Sequence, residues 1–410
     1  MLTEKIFYDL SLISYFDVYE KGMNVADFIN HILHDEKLAE SKKADITFPL
    51  QIEALSQINT ELYTSFYIKD FVDDNENSGV VYTIFSCKEA DIFAFRGSEA
   101  LDEVYHHTGW QDWSDNFHMF LNGPTNQQLV CYHMFQQHCI DVPFYLCGHS
   151  KGGNLAMFTA LVMKEELLDQ LQAVVSFNAP GITKSVLQTY QLRSEDKHFQ
   201  RKLFLFENEN DCISSFFEHI KHPIYIKSNM SCSNLIQLYH NHNLYSMDFE
   251  HYLIAEKKTA IPKIVYHFVN DFFVNLKEER LKRIVSNMDD YFTSSLSMSE
   301  LNKVFLYHIS QFTNLFEDIS YDEIQTITFQ DLIERRKTKN LLSKAKNKAV
   351  VTIQDIHIDH ITQGIIDNYE AILGNRIAQL QEMINRNNLR ITNAISSIRK
   401  NKEDHEEQPS

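Results

Sequence analysis

Ser150 stands in the pentapeptide Gly148-His149-Ser150-Lys151-Gly152, and a second glycine, Gly153, follows. A serine hydroxyl becomes a nucleophile only when a base takes its proton and an acid orients that base. The pattern G-x-S-x-G, entered from an apolar run and left by a helical pattern, describes a nucleophile elbow. Such a turn is too tight for side chains on its flanks, hence Gly148 and Gly152. Gly153 lets the following helix pack closely on the sheet. The hydroxyl would then project above a helix N-terminus, whose free N–H groups and partial positive charge favour a developing oxyanion.

In this chemistry the chain order is serine, acid, histidine. "KLFLFENENDC" (202–212) reads as a strand and loop, and it offers Glu207, Glu209 and Asp211. Asp211, at the start of the loop, is the preferred acid, with Glu209 second. The base is expected on a loop beyond the last strand, where "LYHNHNLYSMDFEHYL" holds His240, His242 and His251. Order alone does not choose among three histidines in a chain that has 19. His149 is expected to point away from so sharp a turn and to pack between strands. The strand "DIFAFRG" ends at Gly97-Ser98, so the backbone N–H of Ser98 can join that of Lys151 at the oxyanion. Arg96 reads as a structural ion-pair partner rather than a substrate clamp.

These residues need a sheet to hold them. Residues 3–16, 23–39 and 48–59 read as helices, and "VVYTIFS" and "DIFAFRG" read as a strand pair with a short polar turn. Residues 124–140 and 152–170 are expected helices. "PFYLCGHS", "LQAVVSFNAPG", "KLFLFENENDC" and "PIYIKSNM" are expected strands. Alternation of this kind over 78–230 implies an α/β fold with a mostly parallel sheet flanked by helices. From about residue 262 helical periodicity takes over. The expected division is an α/β domain over 1–262, a helical extension over 263–350, a long amphipathic helix over 351–402 and a disordered acidic tail over 403–410.

The long helix carries Ile377, Ile384, Ile391 and Ile398 at a seven-residue repeat, with Leu373, Leu380, Asn387 and Ala394 between them. That pattern suits a two-stranded coiled coil. Residues 366–398 could therefore pair with a second copy or a protein partner, or pack on the chain itself. The basic run 335–348 reads first as a solvated helix face and second as a contact for anionic lipid or an acidic partner.

The net charge of −18 argues against nucleic-acid binding, which needs clustered Lys and Arg. The 44% apolar content allows a substantial core. None of the six cysteines forms a C-x-x-C pair, so no zinc site is expected, and the chemistry needs no cofactor or metal. The first residues lack the features of a secretory signal and no apolar run reaches 18 residues, so a cytoplasmic location is expected.

"ISYFD" (13–17), "FAFRGSE" (93–99), "GWQDWSDNF" (109–117), "GHSKGGNLA" (148–156), "SFNAPG" (176–181) and "HNLYSM" (242–247) occur in this order. Together they resemble a bacterial domain-of-unknown-function family of α/β-hydrolase-like proteins related to lipases and esterases. The resemblance spans about residues 1–265 and, more loosely, the helices to about 330; it does not reach the tail from about 355. It implies an α/β-hydrolase-like sheet, favours His242 over His240 and His251, and places the acid at Asp211. The family's Trp is Met247 here, and its F-R-G-T is "FRGS", which keeps the hydroxyl. The function that follows is a serine esterase or lipase-type hydrolase acting on an acyl-ester or lipid-like substrate. The alternative is an inactive fold that binds a partner through its C-terminal helices.

Overall fold

The computed structural model describes residues 2–259 except 19, 43–46, 99–109, 122, 140–141, 233–234 and 250, with isolated positions as far as Ser286. The expected extension, basic run 335–348, heptad helix 366–398 and acidic tail lie outside the described residues apart from those few positions.

Eight strands form one sheet whose spatial order is the chain order: β1 (Tyr67–Asp74), β2 (Val80–Ser86), β3 (Asp91–Phe95), β4 (Phe144–His149), β5 (Leu171–Phe177), β6 (Leu203–Asn208), β7 (Ile224–Ile226) and β8 (Ile254–Ala255). Strands β3 to β7 pair in parallel, while β1–β2–β3 and β7–β8 are antiparallel. Successive side chains on a strand point to opposite faces, and both faces of a parallel sheet must be covered. Ile92, Ala94, Cys147 and Val175 therefore join one core and Phe93, Phe95, Leu146 and Val174 the other. The sheet is that of an α/β-hydrolase-like fold, as the sequence implied.

The first core is closed by α1 (Glu4–Ile13), α2 (Val25–His34), α3 (Glu36–Ser41) and α4 (Phe48–Ser56). Tyr8 of α1 lies against Phe177 and Phe249, with ring centroids 5.7 and 4.7 Å away, and its hydroxyl donates to the carbonyl of Leu244 at 2.7 Å. Arg96 is structural as expected: buried, it donates from Nε to the Ser14 carbonyl at 2.7 Å and from Nη2 to Asp17 at 2.9 Å. The second core is closed by α6 (Asn126–His138) and α7 (Lys151–Val162), and α5 (Trp110–His118) precedes α6 in the chain. A capping box at Thr125 and Gln128 starts α6.

Three elements depart from expectation. The helix over 23–39 is two helices, α2 and α3, because Asp35 is extended between them and its side chain caps the second. The helix over 152–170 is two helices, α7 and α8 (Glu165–Gln170), because Met163 and Lys164 are extended between them. Strand β1 was not legible because Lys69, Asp70, Asp73 and Asp74 interrupt its alternation; it is an edge strand with a register shift between Ile68 and Asp70. Charged side chains on an edge cost little and discourage further pairing. Three short helices, α9 (Lys184–Thr189), α10 (Gln191–Glu195) and α11 (Lys197–Arg201), link β5 to β6, and α12 (Leu235–His242) precedes β8. Among the described residues no helix is long and apolar enough to cross a membrane.

Candidate active site

The C-terminal ends of β3 to β6 converge. Phe95 pairs with Gly148, His149 with Phe177 and Phe177 with Phe206. The residues just beyond each strand, Gly97-Ser98, Ser150, Asn178 and the loop to Asp211, thus share one edge, where open α/β sheets bind ligands.

Ser150 sits between β4 and α7 with φ 55° and ψ −126°, a conformation that L side chains rarely adopt. Its N–H donates to the Phe177 carbonyl at 2.9 Å, which braces the strained turn on β5. The turn also brings α7 against the end of β3. A Cβ on Gly152 would stand 2.1 Å from the carbonyl oxygen of Phe95, so only glycine fits. The serine heads α7 but its side chain makes no cap bond to the helix; Oγ instead lies 2.7 Å from Nε2 of His242.

His242 is the last residue of α12, before a 3₁₀ turn over Leu244–Ser246. It does not sit on a loop beyond the last strand, because β8 follows it; a helix end fixes the ring better than a free loop would. Its Nδ1 lies 3.1 Å from Oδ1 of Asp211. A carboxylate only accepts, so Nδ1 carries the proton and the lone pair of Nε2 faces the Ser150 hydroxyl. Asp211 is fully buried and also accepts from the N–H groups of Ile213 (2.9 Å) and Ser214 (3.1 Å). Burial alone would raise its pKa; His242, Lys258 and Ser214 outweigh burial and hold it at about 2, so the carboxylate stays ionised.

The other candidates turn elsewhere. Glu207 pairs with Lys258 at 2.7 Å and His219 at 3.0 Å, and Glu209 with Lys227 at 3.3 Å. His240 meets the Tyr245 hydroxyl at 2.7 Å, and His251 meets Asp248 at 2.9 Å.

His149 does more than fill space between strands. Its Nε2 donates to the carbonyl of His242 at 2.8 Å, and Asn178 Nδ2 donates to the same oxygen at 2.8 Å. A carbonyl only accepts, so Nε2 holds the proton and Nδ1 accepts from the Tyr15 hydroxyl at 2.7 Å. Burial, with the neighbouring His242 acting in the same direction, pushes the His149 pKa down to about 3, so the ring is neutral. The unfolded ring binds a proton near 6.5, so between that pH and about 3 the unfolded state holds more protons and stability falls as pH falls. Urea unfolding should show this as a loss approaching about 1.4 kcal/mol per pH unit below 6.5. His149→Gln, which cannot titrate, should flatten that slope; an unchanged slope would show that His149 is not its source.

Two further residues were missed by sequence reasoning. Lys151 is 1% exposed, and its Nζ pairs with Asp115 of α5 at 2.5 Å. The neighbouring Asn116 donates to Oγ of Ser98 at 2.9 Å. Both lie in "GWQDWSDNF", quoted above without a role. One helix thus ties the residue after Ser150 to the residue after Gly97. The strand ends themselves are close: a Cβ on Gly97 would lie 3.2 Å from Cβ of Ser150.

A mostly parallel sheet with helices on both faces and a strained strand-to-helix turn at its carboxyl edge defines an α/β-hydrolase-like fold. The Mbeg1-like family model matches residues 59–290, more than half of the chain, and the chain belongs to that family. Among solved structures it is similar to the Lip2 lipase of Yarrowia lipolytica, at 14% identity over 60% of this chain and 92% of that one, with a TM-score of 0.34. It is also similar to the MDLA protein of Penicillium cyclopium (11%, 64% and 88%, TM-score 0.34) and to a member of a family of fungal lipases with an unusual buried polar cluster (11%, 66% and 92%, TM-score 0.35). No curated protein matches the sequence significantly.

Proposed function

We propose that this protein is a serine hydrolase acting on acyl esters through Ser150, His242 and Asp211. The observation that carries the reading is the continuous chain from Ser150 Oγ through His242 to Asp211. Oγ attacks the ester carbonyl carbon while its proton passes to Nε2 of His242. The tetrahedral oxyanion lies within reach of the N–H groups of Ser98 and Lys151. Collapse expels the alkoxide, which takes the proton from His242, and leaves an acyl-serine. Water then attacks the acyl-serine with His242 again as base, releasing the acid and restoring Oγ–H. Asp211 keeps Nδ1 protonated and offsets the imidazolium charge.

A fluorophosphonate probe should modify the folded protein at one peptide, the one containing Ser150, with loss of fluoride. Folded protein left unmodified would overturn the reading. Asn116 holds the Ser98 hydroxyl, and through it the residue whose N–H faces the oxyanion in this reading. Asn116→Ala should therefore slow labelling by roughly tenfold, since misaligned oxyanion donors lose transition-state stabilisation. The melting temperature should stay within about 2 °C, because one partly exposed hydrogen bond contributes only about 1 kcal/mol. Slower labelling with a matching loss of stability would mean that Asn116 acts on the fold alone.

A further inference from the structure

Next to Asp211 lies a buried ion pair that the proposed reaction does not use directly. Lys258 is 6% exposed and Glu207 2%. Lys258 reaches in from the segment after β8, and Nζ makes four contacts. It pairs with Oε2 of Glu207 at 2.7 Å and donates to the Asp211 carbonyl at 3.0 Å, to Ser214 Oγ at 2.6 Å and to Ser215 Oγ at 2.9 Å. The next residue, Thr259, donates from its N–H to the Glu209 carbonyl at 2.9 Å and from its hydroxyl to Asn210 Oδ1 at 2.8 Å. Glu207 itself is the penultimate residue of β6. The turn from Asn210 to Ser215 is thus held between a strand end and a strap more than forty residues later in the chain.

Removing two charges from water is costly, and a buried pair adds little net stability over a well-packed apolar pair. What it adds here is placement and field. The turn that Lys258 gathers is the one whose N–H groups from Ile213 and Ser214 hold the Asp211 carboxylate. We infer that Lys258 and Glu207 are positioning residues for the hydrolase reaction: Lys258 knots the turn that aims Asp211 at His242, and Glu207 seats Lys258 and balances its charge. The inference rests on the serine-hydrolase reading.

The charge relation gives the inference a sign. Lys258 lowers the Asp211 pKa, and a positive charge near the couple also disfavours imidazolium. Removing Lys258 makes the His242–Asp211 couple hold protons to higher pH. Removing Glu207 leaves the lysine charge unbalanced and makes the couple release protons at lower pH. The other titratable groups facing these residues are His149 beside His242, with ring centroids 5.1 Å apart, Cys212 and Cys232 near Asp211, and His219 and Tyr225 beside Glu207. Every variant below retains all of them.

The test uses the full chain with carbon-13-labelled histidine. The His242 ring signal, assigned by its loss in His242→Asn, is titrated alongside the pH dependence of fluorophosphonate labelling. Lys258→Met should move both midpoints up by roughly half a pH unit or more, and Glu207→Gln should move both down by a similar amount. The double variant, which removes both charges at similar volume, should return both midpoints close to wild type and fold even if Lys258→Met does not. Midpoints that stay put, or that move the same way in both single variants, would overturn the inference. Wild type that fails to label, with the His242 ring midpoint moving as stated in the variants, would overturn the hydrolase reading alone.

Discussion

Ser150→Ala should lower ester turnover by about 10⁴-fold or more and abolish fluorophosphonate labelling, with the melting temperature nearly unchanged. Loss of the nucleophile removes the covalent route and leaves only whatever the oxyanion donors and binding supply. Stability should hold because alanine keeps the Cβ that serine already carries at φ 55°, so the backbone strain is the same in both. The bond from Oγ to His242 disappears, but His242 retains Asp211, and its carbonyl retains His149 and Asn178. A p-nitrophenyl ester assay with a melting curve reads both quantities. Turnover within tenfold of wild type would remove Ser150 from the chemistry. Ser150→Gly sharpens the comparison: it should be equally inactive yet more stable, because glycine adopts this φ without strain that otherwise costs on the order of 1 kcal/mol or more.

Gly152→Ala should do the reverse and strike the fold first. The added methyl would lie 2.1 Å from Phe95 O, 2.7 Å from Phe95 C and 2.8 Å from Arg96 C. All three are backbone atoms of β3 and its exit, so no side chain can swing aside. Either α7 lifts from the sheet or the 95–98 segment moves, and both separate Ser98 from Ser150. Overpacking of this kind costs about 1–3 kcal/mol or more, which lowers the melting temperature by roughly 2–12 °C in a domain of this size. Turnover should fall even at temperatures where the variant is fully folded. A variant with wild-type melting and wild-type turnover would mean that the contact relaxes freely.

Much of the architecture was legible because local signals agreed. The glycines around Ser150 announce a turn that only their small size permits, and the apolar strands announce a covered parallel sheet. Asp211 was legible from its place just past a strand. His242 was not legible from spacing, since His240 and His251 fit the same order; only resemblance to a family favoured it, and its bonds to Ser150 and Asp211 distinguish it from both. The helix that carries it lay hidden in polar sequence. The side-chain partners of His149, Lys151 and Lys258 were illegible for a shared reason: each lies at least 36 residues away, at His242, Asp115 and Glu207. Sequence periodicity reports which face of an element is buried, not which polar group waits there.

The identity of spatial and chain order in the sheet has a consequence for synthesis. Each strand joins the growing edge as it emerges, so the sheet can extend outward from β1 without rearranging earlier pairs. Residues 144–162 provide the strained serine and its helix early, while the histidine emerges some ninety residues later and Lys258 later still. A ribosome-bound chain ending near residue 200 would therefore display the elbow with no base to activate it. The serine would gain its base as α12 docks and Leu244 meets the waiting Tyr8 of α1, so that arrival of this helix on the sheet and arming of the serine become one event.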